Sequence, residues 1–238
     1  MPTQLLVLTA AMFAAAFLQA TSGFGFALLA MPLITLALGL ELAGPVVAGA
    51  ALFLYIANTL RLRRHVNGPE WLRLGAAGLL GVPLGFWLSA AVPAAGVRAL
   101  LGVLLIGYAL YALLKPQARP APDGRWVYLA GFTAGALASA YNIPGPPVIV
   151  YGELQGWARN EFRATLQAFF LLNSVLVVGG HALLGHFDSQ TGWFTLVSLP
   201  ALLVGNLAGQ AADRFLDNQR FRQLVLGLLF ATGVALVG

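Results

Sequence analysis

Two short runs concentrate residues that could hold a ligand without reacting with it: Thr21-Ser22-Gly23-Phe24-Gly25-Phe26 and Ala140-Tyr141-Asn142-Ile143-Pro144-Gly145-Pro146-Pro147. Each lies between apolar segments. A proline has no backbone N–H and its ring clashes with the carbonyl four residues earlier, so no regular helix is expected through Asn142 to Pro147. Glycines at 23, 25 and 145 would let the backbone approach a ligand closely. A helix that starts after such a break offers unpaired N–H groups and the positive end of its dipole, worth ~0.3 to 1 kcal/mol to an anion and up to about 2 when partly buried. The indicated chemistry is reversible anion binding by main-chain amides, around Thr21, Ser22, Gly23, Phe24 and Gly25 in one run and Tyr141, Asn142, Pro144 and Gly145 in the other.

The elements that position these runs follow from composition. The 238-residue chain is 59% hydrophobic and 9% charged, where soluble domains carry about 25% charged residues. An integral membrane protein is expected. A spanning helix needs about 20 apolar residues, which leaves no room for a soluble domain. Backbone groups freed at membrane depth are tolerated only inside protein or beside a water-filled cavity, so a broken helix there marks a candidate binding site. Cysteine is absent, which excludes disulfides, thiolate ligands and a cysteine nucleophile. The three histidines are scattered, and neither a metal site nor a cofactor is expected.

Apolar runs read against breakers give ten segments: Leu5 to Gln19, Gly25 to Leu40, Ala43 to Leu60, Leu72 to Ala91 and Val97 to Leu114, then Trp126 to Tyr141, Gly145 to Gly152, Phe162 to Leu183, Trp193 to Gln210 and Phe221 to Val237. A proline-containing stretch, Lys115 to Arg125, separates the two sets. The sets are alike. Pro32 and Pro147 are separated by the same interval as Asn58 and Asn173; Gly81 and Gly205 share theirs with Gly85 and Gly209, and with Arg98 and Arg222. Such recurrence is the mark of an internal duplication. The expected division is 1–114 as a first transmembrane repeat, 115–125 as a cytoplasmic linker and 126–238 as a second repeat. Asn58 and Asn173, at matching places, join the candidate site residues near a pseudo-two-fold axis.

Charge orients the copies. All Lys and Arg except Arg98 fall in four loops, Arg61 to Arg73, Lys115 to Arg125, Arg159 to Arg163 and Arg214 to Arg222. The positive-inside rule makes these cytoplasmic and puts both termini outside. Equivalent loops carry opposite bias, so the repeats are expected to be inverted. The fold expected is an all-α membrane protein of two inverted repeats, about five helical segments each, the first two of each repeat forming a broken or re-entrant hairpin. Inverted repeats with discontinuous helices at their interface are a common transporter architecture.

The Thr-Ser-Gly-Phe-Gly-Phe run followed by Pro32, the Gly145-Pro146-Pro147 run followed by Val-Ile-Val-Tyr, and Phe162-Arg163-Ala164-Thr165 leading into Phe170 and Asn173 resemble the TauE/SafE family of sulfite and organosulfonate exporters. The likeness extends over nearly the whole chain. It implies a bacterial inner-membrane permease for small sulfur-containing anions. One departure is that Asn142-Ile143-Pro144 fills the approach to Gly145, where many relatives carry more glycine.

The function expected is secondary transport of a small anion by alternating access. The partners expected are that anion, the lipid bilayer and a coupling ion (proton or sodium); nucleic acid is not among them, and the sequence leaves the oligomeric state open, a homodimer included. No Gly-x-x-x-x-Gly-Lys-Ser/Thr motif is present, so no ATP site is read here. An anion channel is the alternative on the same fold. A membrane hydrolase would need Ser22, Ser139 or Ser174 within hydrogen-bond reach of His181, which no spacing predicts. His181 itself is expected at the membrane interface.

Overall fold

The computed structural model describes residues 2–114, 124–213, 226–227, 230–231 and 233–234. Most of the expected Lys115 to Arg125 linker, the Arg214 to Arg222 loop and most of the Phe221 to Val237 segment lie outside these residues. The described helices are α1 (Pro2–Ser22), α2 (Phe26–Leu38), α3 (Leu40–Leu62), α4 (Gly68–Ala91), α5 (Ala94–Leu114), α6 (Trp126–Tyr141), α7 (Gly145–Leu154), α8 (Arg159–Leu183) and α9 (Ser189–Ala212), with one 3-10 turn at Arg63–His65. No strand occurs among the described residues. α1, α3, α4, α8 and α9 are long and apolar enough to cross a bilayer. α2 has 13 residues and α7 has 10, which at about 1.5 Å per residue fall well short of a ~30 Å hydrocarbon core.

The two breaks have different local causes. Between α1 and α2, Gly23 (φ 89°) and Gly25 (φ 104°) take left-handed backbone, which costs a residue with a Cβ roughly 1–2 kcal/mol. Between α6 and α7 the left-handed residue is Asn142, φ 57°. Its amide donates to the Ala138 carbonyl at 2.8 Å and the Ile143 amide to the Leu137 carbonyl at 3.2 Å, closing the end of α6 as a helix C-cap does. The expectation of no helix through Pro147 is corrected: α7 begins at Gly145, so Pro146 and Pro147 occupy its first turn. A first-turn proline gives up an N–H that has no intrahelical partner, and the break shrinks to Asn142–Pro144. The Arg159 to Arg163 stretch, expected as a loop, is the first turns of α8. Other helices start where side chains cap them. Asn67 Oδ1 accepts from the Glu70 amide at 3.2 Å ahead of α4, and Asp188 Oδ1 accepts from the Thr191 amide at 2.7 Å ahead of α9. That bond from Thr191 holds the Asp188 carboxyl below the usual range.

Apolar surface gains little by leaving lipid for protein, so close approach of small residues does much of the packing in such a bundle. α4 lies on α6 and α1 on α9. A Cβ added at Gly81 would sit 2.1 Å from the Phe132 carbonyl oxygen and one at Gly85 2.1 Å from that of Ala136; at Gly205 and Gly209 it would sit 2.3 and 2.6 Å from those of Phe13 and Phe17. Both pairs therefore run parallel. The contacts also repeat, because Phe13 and Phe132 are separated by the same interval as Phe17 and Ala136. α3 packs along α8, α4 touches α8 as α3 touches α9, and each short helix packs on the long one before it and the one after it. Exchanging α1–α4 for α6–α9 turns every one of these pairings into another member of the set.

Candidate functional site

The two breaks meet. Gly25, Ala27 and Leu28 from the first and Ile143, Pro144 and Gly145 from the second face one another across a void of about 10 Å³, walled by Tyr55 of α3 and Phe170 of α8. That volume admits one water-sized sphere. The two aromatic rings lie 5.4 Å apart, centroid to centroid, and Tyr55 also meets Phe26 edge-on at 6.4 Å. Tyr55 and Phe170 share the interval of Asn58 and Asn173, so the wall is built from matching places in the two halves.

The first break is held from inside. Gln19 reaches across it, its Oε1 accepting from the Phe26 amide at 2.8 Å and its Nε2 donating to the Gly23 carbonyl at 3.2 Å. Gln167 Nε2 donates to the same carbonyl at 2.8 Å. Arg163 Nη2 donates to the Thr21 carbonyl, which the end of α1 has freed. The Arg163 stem lies so close that a Cβ on Gly23 would meet Arg163 Cγ at 2.5 Å. Ser22 Oγ donates to the Leu18 carbonyl at 2.7 Å, accepts from the Phe24 amide at 3.2 Å and pairs with the Phe24 carbonyl; Thr21 Oγ1 bonds the Leu18 carbonyl at 2.9 Å. These polar groups therefore fix the shape of the break.

Two helices start at this junction. In α2 the Phe26 amide is taken by Gln19, while Ala27 and Leu28, whose amides have no backbone partner among the described residues, line the void. At the start of α7, Pro144, Pro146 and Pro147 have no N–H, so Gly145 supplies the early amide there. The two helix starts are thus unequal in amides, α2 being the richer.

Of the expected site residues, Gly25, Pro144 and Gly145 line the void. Thr21, Ser22, Gly23 and Phe24 form the turn behind it, with Phe24 edge-on to Phe162 at 6.3 Å. Tyr141 is buried at the end of α6. Asn142 Nδ2 donates to the Gly44 carbonyl at 2.9 Å, tying the second break to α3. Asn58 and Asn173 are buried one turn beyond Tyr55 and Phe170 and do not line the void. Asn173 Nδ2 donates to the Phe169 carbonyl at 3.0 Å; its Oδ1 and both amide atoms of Asn58 have no partner among the described residues. His181, in the last turn of α8, is buried within the protein, edge-on to Phe86 and Phe187, with Nδ1 2.9 Å from Nδ1 of His186. Its ring partner is another histidine, while Ser139 Oγ bonds the Val82 carbonyl at 2.8 Å. A Ser–His pair is not assembled from these side chains.

Sequence reasoning missed Tyr55, Arg163 and the bridging role of Gln19 and Gln167. The first could have been found from its interval to Phe170. Arg163 was read as a loop charge, yet only 9% of it is exposed. A larger cavity of about 450 Å³ lies between α5, α6 and α7, but Leu104, Leu129, Pro147 and Val150 typify its walls, which carry almost no polar surface. So apolar a surface is a poor fit for an anion.

Residues 8–236 match the sequence profile of a family described as sulfite exporter TauE/SafE. A protein of Cupriavidus necator named probable sulfite/organosulfonate exporter TauE is 25% identical over 242 residues, covering 98% of this chain and 93% of that relative. No solved structure matches the chain.

Proposed function

We propose, from the premise that this chain belongs to the sulfite exporter TauE/SafE family, that it carries a small sulfur oxyanion, sulfite or an organosulfonate, outward across the bacterial inner membrane by alternating access. It is a multi-pass membrane protein of a transport family, not an enzyme. The observation that carries the proposed mechanism is the junction of the breaks: Ala27 and Leu28 at the start of α2 and Gly145 at the start of α7 line one void, between Tyr55 and Phe170. Backbone donors at the void suit an anion that must also leave, since they attract it there with no cation among the residues that line the void.

The void is too small for a sulfur oxyanion, so the two breaks must part to admit one. That favours a carrier over the channel alternative, which needs a continuous wet path. The repeat reading is supported by direction. α1 runs parallel to α9 and α4 to α6, and the start of α8 lies beside the start of α4, through Asn67 Nδ2 to Glu161 at 2.7 Å, and beside the ends of α1 and α9, through Arg163. α4 then runs away from that end while its counterpart α9 runs toward it. On this reading 1–114 and 126–238 are inverted repeats joined by the 115–125 linker, and the Arg-rich end faces the cytoplasm with both termini outside. A proton or sodium gradient drives the cycle, and the protein works as a monomer or as a homodimer.

Flux into proteoliposomes tests this. The wild-type chain is expected to move sulfite and organosulfonates saturably, with counterflow when the far side is loaded. Phe170→Trp, which fills the void, should lower the maximal rate more than about ten-fold while leaving the protein monodisperse in detergent. Ohmic anion currents without saturation would replace the carrier with a channel.

A further inference from the structure

Arg163, Gln167 and Phe170 occupy one face of α8 at successive turns. Phe170 walls the void, Gln167 bonds the Gly23 carbonyl, and Arg163 lies at the end of the row. The Arg163 guanidinium is bidentate to Asp213, at the end of α9, with Nη1 2.8 Å from Oδ2 and Nη2 2.8 Å from Oδ1, while Nη2 also serves the Thr21 carbonyl. Arg159 Nη2 reaches the same Oδ1 at 2.9 Å. Arg61, at the end of α3, interacts electrostatically with both Arg163 and Asp213. Two arginines thus share one carboxylate beside the first break, with a third nearby, and among the described residues the cluster has excess positive charge.

A planar guanidinium fork recognises two neighbouring oxygens on one acidic group, whether carboxylate or oxyanion. Sulfite and sulfonate oxygens present the same pair of acceptors as a carboxylate. We propose that Asp213 is an internal competitor for the substrate: it occupies the Arg163 fork in the conformation described, and an incoming sulfonate or sulfite displaces it. The displaced carboxylate stays with Arg159, whose side chain is 55% exposed, so the exchange swaps one ion pair for another and strands no charge. Losing the Asp213 bond uncouples the end of α9 from the break that Arg163 holds. Substrate arrival and loosening of the first break become one event. Arg163 is then a specificity-determining residue, selecting anions that offer two oxygens over a spherical halide, and Gln167 lies on the path from it to the void.

The inference rests on the transport reading, and half-saturation constants in proteoliposomes test it. Asp213→Asn keeps the size and one acceptor oxygen while removing the competing charge. It should lower the half-saturation concentration for an organosulfonate roughly five- to ten-fold. Asp213→Ser serves as a second variant with the same expectation. Arg163→Lys, which keeps charge but loses the fork, should raise the constant about ten-fold and narrow the preference for sulfonate over chloride. A merely structural salt bridge would not tighten affinity when broken. An unchanged or raised constant in both Asp213 variants, with wild-type flux intact, overturns the proposal. If the wild-type protein carries no flux, the transport reading fails instead. Organosulfonate binding followed by intrinsic tryptophan fluorescence in detergent then decides: tighter binding in the Asp213 variants upholds the competition, and equal binding ends it.

Discussion

Valine at Gly81 is expected to destabilise the protein by more than about 3 kcal/mol, and valine at Gly205 by a similar amount. Overpacking a well-filled site typically costs about 1–3 kcal/mol because side chains can shift aside. Here the obstacle is main chain. The added Cβ would stand 2.1 Å from the Phe132 carbonyl oxygen in one case and 2.3 Å from that of Phe13 in the other, so α6 must leave α4, or α1 must leave α9. These helices carry the two breaks. A control is provided by Gly107, where a Cβ would meet nothing within 4 Å and valine should change stability by less than about 0.5 kcal/mol. Thermal unfolding in detergent, followed by loss of the monodisperse peak, measures all three. Equal losses at Gly81 and Gly205 are what matching contacts in two halves require; a large loss at one alone would mean that the halves do not bear the same load.

Gln19→Leu should cost about 3 kcal/mol and reduce flux more than ten-fold. Gln19 is buried, and its two hydrogen bonds join the end of α1 to the start of α2 across the turn. Leucine leaves the Phe26 amide unpaired in an apolar site, at about 1–3 kcal/mol, and removes one of the two donors to the Gly23 carbonyl. Gln167→Leu provides the comparison. It removes the other donor but leaves the Phe26 amide paired, and the Gln167 Oε1 it deletes has no partner among the described residues. Its stability cost should be at most half as large. A reversed order would mean that α8, rather than the side chain spanning the turn, sets the geometry of the break.

Much of the architecture was legible because it rests on local rules. Apolar length marked the long helices, and glycine and proline marked both breaks. The intervals between Gly81 and Gly205 and between Gly85 and Gly209 proved to be contacts on matching carbonyls, which is why they recur in pairs. Burial was harder to read. Arg163 looked like a loop charge because no periodicity records that a guanidinium reaches back to a carbonyl at Thr21, a contact distant in sequence. Tyr55 looked like an ordinary apolar residue and Phe170 entered only as part of a motif, because the void they wall exists only where four helices converge. Asn58 and Asn173, which share the interval of Tyr55 and Phe170, lie a turn beyond the void. The run of prolines suggested a longer break than exists, because a proline that stops a helix and one that opens it are the same letter.

On the proposed mechanism an anion binds in the void between Tyr55 and Phe170 and is released from it to either side. The chain has no cysteine, so Leu28→Cys places a single thiol at that point. Membrane-impermeant thiol reagents applied to right-side-out and inverted vesicles should modify it from both sides, and an organosulfonate should slow the reaction in proportion to its transport affinity. Modification from one side only, or at a rate that no transported anion alters, would contradict the account.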